Sequence, residues 1–235
     1  MADPKVQNQN AVVFITKTGL QFFGSSSKSI PAYSFDEKLV HDLDVVDAAN
    51  LQAQIQAFID QNKLPPSPVI FVFSEPTCFY QDLKGTDDAK LRALMSEFVN
   101  VVPFETILTK VYKTKDAARV VSINERLYRE IAQAFEAKGF VSLGVAPSLV
   151  LESRQAMATA LDANIGRAIL ANIETIREQG FLAPEEKAEG GVSEERTIEK
   201  PAVEKSFKIT KNVVILGVVM VVLGVVLVVL ILSSR

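Results

Sequence analysis

One uninterrupted apolar run near the end of the chain constrains this sequence more than any other feature. It extends from Val213 to Leu232, VVILGVVMVVLGVVLVVLIL, and contains no charged or polar side chain. A helix rises about 1.5 Å per residue, so a run of this length matches the roughly 30 Å hydrocarbon core of a bilayer. Helices buried in soluble cores seldom stay apolar on every face over such a length. The run therefore predicts a transmembrane helix over residues 212–232.

The charges on either side of this run indicate its orientation. Lys205, Lys208 and Lys211 precede it, whereas Arg235 alone follows it. Positive charge is enriched on the cytoplasmic side of membrane spans, so the body that precedes the run should lie in the cytoplasm. With so few residues after the run, the pattern is that of a tail-anchored, single-pass protein.

Two segments are predicted to lack a packed core. Residues 1–10 do not show the basic-then-apolar pattern of a secretion signal, and they are expected to be disordered. Residues 184–211 mix acidic and basic side chains, with Phe207 as their only aromatic residue. Such a segment cannot bury enough apolar surface to fold, and it is expected to act as a flexible charged linker. Residues 11–183 remain for one folded body.

Composition excludes several classes of protein. The 235 residues include 28 acidic and 25 basic ones, a net charge of −3. A dedicated nucleic-acid binder would normally carry a basic surplus, so nucleic acid is not an expected partner. Cys78 is the only cysteine, which rules out an intrachain disulfide and a metal cage built from cysteines.

The first part of the body alternates between strand-like and helix-like patterns. Ala11 to Thr16 is a β-branched apolar run that turns at Thr18-Gly19 into a second apolar stretch, which predicts a hairpin. A third strand is expected within residues 29–35. Apolar residues at helical spacing predict a helix over residues 45–61, and residues 69–73 read as a buried strand. The pattern is that of an α/β protein.

The middle of the body has its own order of elements. Strand, helix, strand, strand, helix and strand follow one another over residues 78–147, with Asn124 as the predicted N-cap of the second helix. This order is the split βαβ signature and predicts a βαββαβ-type subdomain. One long helix is then expected over residues 148–179. Its apolar stripe should pack on its own domain, or alternatively pair with a second copy in a homodimer.

Three stretches carry a resemblance to a known family. They are SEPTCFYQDL (Ser74 to Leu83), VVPFETIL (Val101 to Leu108) and ARVVSINERLYREIAQAFEAKGFVSLGVAPSLVL (Ala118 to Leu151). In this order the chain resembles the N-terminal half of the PilM family, the actin-like cytoplasmic proteins of type IV pilus machines. It resembles the related GspL family of type II secretion more distantly. The resemblance implies an actin-like or ribonuclease-H-like first sheet with an inserted subdomain at about residues 78–147.

The resemblance also implies a function and a partner. PilM-like proteins belong to the inner-membrane platform of the pilus machine and bind a short segment of the membrane protein PilN between two subdomains. Carried over to this sequence, that groove falls at Ser74 and Cys78 and at the returning strand near Val145 and Pro147. The expected role is that of a noncatalytic scaffold, tethered to the inner membrane, which binds a PilN-like partner on the cytoplasmic face.

The sequence departs from the family where nucleotide would bind. Actin-like ATPases carry an Asp-x-Gly-Ser/Thr loop after the first strand, whereas the turn here is Thr16-Lys17-Thr18-Gly19, without an acid. The linker also begins where the second half of the nucleotide clamp would start. Ribonuclease-H-type nucleases need a carboxylate on the first strand, which here is apolar from Val12 to Ile15.

Other catalytic patterns are absent from the sequence. His41, the only histidine, lies in a polar stretch typical of the surface, and no GxSxG, HExxH, P-loop or GxGxxG motif occurs. We therefore expect no catalytic residues, no cofactor and no metal. Two alternatives remain open: a degenerate actin-like nucleotide-binding protein, and an unrelated tail-anchored adaptor that shares only the α/β pattern.

Overall fold

The computed structural model describes residues 10–25, 29–84, 88–113, 117–151 and 158–183. The predicted linker and the predicted transmembrane helix lie outside these residues. Within the described ranges, no helix is both long and apolar enough to cross a membrane.

The larger of the sheets has five strands, which lie in the order β10-β6-β1-β2-β3. The first two strands form the predicted antiparallel hairpin, and β1, β6 and β10 run parallel to one another. The bounds of these strands are β1 (Ala11–Thr16), β2 (Gly19–Gly24), β3 (Ala32–Ser34), β6 (Pro68–Phe73) and β10 (Val141–Pro147). A small hairpin of β4 (Val40–His41) and β5 (Asp44–Val45) lies between β3 and the first helix.

Helices cover both faces of the five-stranded sheet. On β1, Val13 and Ile15 belong to the core beneath α1 (Ala48–Gln61) and α3 (Glu125–Glu136), whereas Val12 and Phe14 point into a second core on the opposite face. Because neighbouring residues of a strand point to opposite faces, a sheet covered on both sides requires strands that are apolar throughout. This explains why β1 and β6 are continuous apolar runs.

Both helices on the first face begin at side-chain caps. Asp47 accepts a hydrogen bond from the Asn50 amide at 3.1 Å, and Asn124 accepts one from the Leu127 amide at 3.1 Å. The predicted N-cap at Asn124 is confirmed. Asn124 also donates to the carbonyl oxygen of Leu43 at 3.1 Å, which ties the start of α3 to the β4–β5 hairpin.

A second, three-stranded sheet is built from the middle of the chain. Its order is β7-β9-β8 and all of its pairs are antiparallel. The elements here are β7 (Phe79–Lys84), α2 (Asp88–Val101), β8 (Ile107–Lys113) and β9 (Ala117–Asn124).

The predicted βαββαβ unit over residues 78–147 is not a single sheet. Its last strand, β10, pairs in parallel with β6 of the five-stranded sheet, and α3 packs beside α1 over that same sheet. The split βαβ prediction is therefore corrected for residues 125–147. The physical reason is that the side chains of Val145 and Ala146 point to opposite faces of β10 and both are buried. A strand buried on both faces needs a sheet with helices on both sides, which the larger sheet provides.

The single long helix predicted over residues 148–179 is wrong; residues 152–157 of that range lie outside the described residues. A 3₁₀ turn covers Ser148–Val150, and the described residues 158–183 contain two shorter helices: α4 (Ala163–Ala171) and α5 (Ile173–Glu178). Asp162 accepts hydrogen bonds from the first amides of α4, at 2.7 and 2.8 Å, and so starts a new helix there. The apolar stripe still packs on the chain's own sheet: its buried members are Leu161, Ile169, Ile173 and Ile176.

Candidate partner-binding site at the junction of the two sheets

The predicted partner-binding residues lie where the two sheets approach each other. We call this place the junction; it comprises the carboxyl ends of β6 and β10, one face of β8 and the residues that follow α5. Phe73, the last residue of β6, is the register partner of Pro147, the last residue of β10. Ser74 directly follows Phe73, so the topology brings Ser74 and Pro147 to the same end of the sheet. The carboxyl ends of parallel strands are the usual place for binding sites in α/β folds.

Ser74 holds the chain as it leaves β6. Its amide donates to the carbonyl oxygen of Ile15 at 2.9 Å, and its own carbonyl oxygen accepts a bond from the Thr77 hydroxyl at 2.6 Å. The residue is fully buried, and its hydroxyl has no hydrogen-bond partner among the described residues. Ser74 therefore fixes backbone geometry at the junction and leaves one buried hydroxyl unused.

Cys78 is a buried thiol at the start of the second sheet. Its Sγ lies 3.5 Å from the carbonyl oxygen of Ser74 and 3.9 Å from that of Phe73. Burial raises the pKa of the Cys78 thiol to about 12, because a thiolate would lose its hydration there. A thiol that stays protonated is a poor nucleophile and a poor metal ligand, so Cys78 contributes packing to the junction.

Val145 lies on the edge strand β10, yet its backbone is already engaged. Its carbonyl oxygen accepts a hydrogen bond from the amide of Phe181 at 2.8 Å. The approach depends on Gly180, because a Cβ at that position would stand 2.7 Å from the same carbonyl oxygen. The segment after α5 therefore covers the strand edge at which the sequence resemblance places a partner.

Two residues of β8 complete this arrangement. Lys110 donates to the carbonyl oxygen of Gly180 at 2.7 Å, and the Tyr112 hydroxyl donates to that of Gln179 at 3.0 Å. Burial raises the pKa of Tyr112, and the nearby Cys78 adds to the rise. The sequence analysis did not identify Lys110 or Tyr112 as site residues. Their two-residue spacing on a predicted strand, which puts them on one face, is the signal that could have identified them.

The neighbouring part of the second sheet carries an exposed polar network. Arg119 donates to both carboxylate oxygens of Asp82, at 2.6 and 2.9 Å, and its guanidinium carbon lies 4.9 Å from the centre of the Tyr80 ring. The Tyr80 hydroxyl donates to Glu75 at 3.0 Å. The hydrogen bonds from Arg119 lower the pKa of Asp82, and the bond to Glu75 raises the pKa of Tyr80.

Large apolar side chains are exposed in two segments next to the junction. Phe79 and Tyr80 directly follow Cys78 and are 38% and 42% exposed, and Leu182 directly follows Phe181 and is 43% exposed. In contrast, the side chains of Ser74, Cys78, Val145 and Pro147 are buried. Any partner at the junction would therefore contact the neighbours of the predicted residues.

The other residues considered in the sequence occupy ordinary structural positions. Thr16 donates to the carbonyl oxygen of Gly19 at 3.1 Å and so closes the first hairpin. His41 lies on the surface beside Asp42, with 3.5 Å between the imidazole and the carboxylate. Phe104, in the Val101 to Leu108 stretch, is buried and stacks edge-on against Phe79. Within the described ranges, no group of three His, Cys, Asp or Glu side chains is placed to hold a metal ion.

The fold and the junction define a mixed α/β protein in which a five-stranded and a three-stranded sheet meet at the carboxyl ends of parallel strands. No protein-family model and no curated protein matches the sequence. The fold is similar to solved structures, with low identity and partial coverage.

Three solved structures illustrate this similarity. One is a "PilM-PilN type IV pilus biogenesis complex", with a TM-score of 0.42, 12% identity and coverage of 60% of this chain and 48% of that one. The cytoplasmic domain of EpsL, an inner-membrane component of the type II secretion system of Vibrio cholerae, gives 0.39 and 13%, with coverage of 60% and 58%. A Bacteroides thetaiotaomicron protein of unknown function with an actin-like ATPase fold gives 0.35 and 12%, with coverage of 58% and 52%. The chain thus spans about half the length of the structures it matches.

Proposed function

We propose that this protein is a noncatalytic scaffold of a type IV pilus or related secretion platform. In this proposal the predicted span over residues 212–232 holds it in the inner membrane, and its body lies in the cytoplasm. The body binds a PilN-like membrane protein at the junction of its two sheets. The sequence resemblance supplies the family, and the junction supplies the place where a partner segment would bind.

The observation that carries the proposal is the combination of a strand edge with exposed apolar side chains. An extended peptide that adds to a sheet edge gains affinity from backbone hydrogen bonds and register from side-chain contacts. The edge strand β10 ends at the junction, where the segment after α5 bonds to Val145, and Tyr80 and Leu182 present apolar surface in neighbouring segments. Exposed aromatic side chains of this kind are favoured as anchors in protein interfaces.

A scaffold is favoured over a catalyst by the residue types at the parallel strand ends. Thr16 ends β1 and Ser74 directly follows β6, and each carries a hydroxyl group; Pro147 ends β10 with a nonpolar ring, and none of the three carries a carboxylate. The carboxylate of Glu75, the residue after Ser74, accepts a hydrogen bond from the Tyr80 hydroxyl. A membrane tether would also raise the effective concentration of the body near membrane partners without adding any contact.

Binding to a synthetic peptide tests the proposal. The full chain, in lipid nanodiscs, is titrated with the cytoplasmic N-terminal peptide of the PilN-like protein from the same genome. We expect binding in the micromolar range, weakened at least tenfold by the double variant Tyr80→Ala/Leu182→Asp.

The matched control is Val46→Asp, which alters an exposed apolar side chain outside the junction. Val46 is 60% exposed and precedes α1, so its substitution should leave binding unchanged. No binding at several hundred micromolar peptide, or equal losses in both variants, would contradict the proposal.

One observation keeps a degenerate nucleotide-binding function as a second candidate. The Ser74 hydroxyl is fully buried at the parallel strand ends and lacks a hydrogen-bond partner within the described part of the chain. Buried hydroxyls are normally paired, and a ligand oxygen could supply the partner. Titration with a fluorescent ATP analogue and Mg²⁺ separates the candidates, because the scaffold proposal expects no saturable signal and the nucleotide-binding candidate requires one.

A further inference from the structure

The residues after α5 form a short connection that contacts both sheets. We call residues 179–183 the strap. The amide of Phe181 bonds to Val145 of β10, while Lys110 and Tyr112 of β8 donate to the strap carbonyl oxygens of Gly180 and Gln179. The side chain of Phe181 is only 4% exposed and belongs to the main apolar core. The strap is therefore seated on the junction through backbone bonds and one aromatic anchor.

The strap has a turn conformation, in which the amide of Gly180 donates to the carbonyl oxygen of Arg177 at 3.1 Å, but it shares three features with a bound peptide. It offers a backbone amide to a strand edge, it inserts one large apolar side chain, and its close approach depends on a glycine. A foreign peptide that binds at a sheet edge likewise uses backbone hydrogen bonds for affinity and side-chain pockets for specificity. Two of the attaching hydrogen bonds come from side chains of β8, and such bonds can break without unfolding a strand ladder.

We propose that the strap is a releasable internal occupant of the partner site. When it is released, the carbonyl oxygen of Val145 becomes free, and so does the apolar space that Phe181 fills. Both then accept an extended peptide that carries an aromatic or large aliphatic side chain. The nature of the incoming peptide rests on the proposed function, whereas the release of the strap does not.

The position of the strap in the chain gives its release a physical trigger. Ala183 is followed directly by residue 184, where the predicted linker to the membrane begins. With the linker flexible as the sequence predicts, a pull along it would reach the folded body first at the strap. Binding of a membrane partner and tension on the linker would thus act on the same contacts between the strap and the two sheets.

Hydrogen exchange of the full chain, in lipid nanodiscs, tests the release. Amides in residues 179–183 of the wild type should exchange at least tenfold faster than those of β1 and β6, because the strap opens without the core. Tyr112→Phe removes one hydrogen bond and should speed strap exchange about fivefold, and Lys110→Ala/Tyr112→Phe should speed it about thirtyfold. The amides of β1 and β6 should keep their wild-type rates in both variants.

Lys138→Ala is the matched control. It removes a surface lysine that pairs with Asp60 at 2.5 Å on α1, and strap exchange should not change. Wild-type strap amides that exchange only as slowly as β1 and β6 would overturn the proposal, and this comparison stands even where the double variant fails to fold. Equal acceleration of strap, β1 and β6 in Tyr112→Phe would overturn it as well.

A peptide-binding experiment distinguishes the release of the strap from the proposed function. A free peptide EQGFLA, which comprises Glu178 and the strap, should bind Gly180→Ala at least tenfold more tightly than the wild type. The added Cβ would stand 2.7 Å from the carbonyl oxygen of Val145 and so weakens the internal occupant, while Lys110 and Tyr112 stay available to the peptide. A released strap together with failure of the PilN-like peptide to bind would leave the strap mechanism standing and refute only the choice of partner. No gain in EQGFLA binding would refute the exchange of occupants.

Discussion

Cys78 allows a sharp test of how the junction is packed, because it is the only cysteine and its pKa is raised to about 12 by burial. The unfolded chain should release the thiol proton near the ordinary value of 9.0, whereas the folded chain should retain it. Between these two values the unfolded state binds fewer protons, so stability conferred by the protonated thiol is complete below pH 9 and is lost as the pH rises toward 12.

The size of the effect follows from these two values. At pH 10 the unfolded thiol is mostly ionised and the folded one is not, which favours unfolding by about 1.4 kcal/mol relative to pH 7. The figure barely changes if the folded pKa lies one unit lower, because it depends mainly on the unfolded thiol. Other groups titrate over the same range, so the quantity to measure is the difference between the wild type and Cys78→Ala.

The assay is urea unfolding of the full chain in a mild detergent at pH 7 and pH 10, followed by far-ultraviolet circular dichroism. The wild type should lose about 1.4 kcal/mol more than Cys78→Ala over this interval. In parallel, the native chain should react with a thiol reagent at pH 8 at least a hundredfold more slowly than the urea-unfolded chain. A difference below about 0.5 kcal/mol, or native reactivity equal to that of the unfolded chain, would refute the burial of Cys78 at the junction.

Two further substitutions test the packing of the five-stranded sheet. Gly166→Ala places a Cβ 2.5 Å from the Phe23 ring, so we expect about 1–3 kcal/mol of destabilisation by urea unfolding, partly recovered when Phe23→Leu is added. Asn124→Ala removes the N-cap of α3 and the side-chain donor to Leu43, which should cost about 2–4 kcal/mol. Asn124→Ser keeps a capping oxygen and should cost about half as much; equal costs for both variants would show that the cap contributes nothing.

Local signals in the sequence were sufficient for most individual elements. The hairpin of β1 and β2, the buried strand β6 and the N-cap of α3 all occur where the sequence predicted them. Each of these signals lies within a few residues of the element that it specifies: a continuous apolar run, a turn with glycine, or a capping asparagine. The transmembrane helix rests on a signal of the same local kind and stays a prediction.

One error came from a pairing between distant parts of the chain, and the other from a helix cap at Asp162 that the sequence analysis missed. The order of elements from residue 78 to 147 suggested one subdomain, but β10 pairs with β6 of the larger sheet. The apolar stripe of residues 148–179 was read as one helix, although Asp162 and Asn172 each begin a new helix within it. A helical stripe and two shorter helices that bury the same face produce nearly the same periodicity, so the pattern alone does not separate them.

The features of the molecule, including the candidate site, divide into those that the sequence predicts and those that only the tertiary structure shows. The sequence alone determines the apolar character of the strands, the capped start of α3 and a run apolar enough for a membrane, because these depend on short stretches of residues. Only the tertiary structure decided that Ser74 and Val145 would be buried and that Lys110 and Tyr112 would hold the strap. Those contacts join residues far apart in the chain, so they stabilise the protein only once both sheets have formed and excluded the water between them.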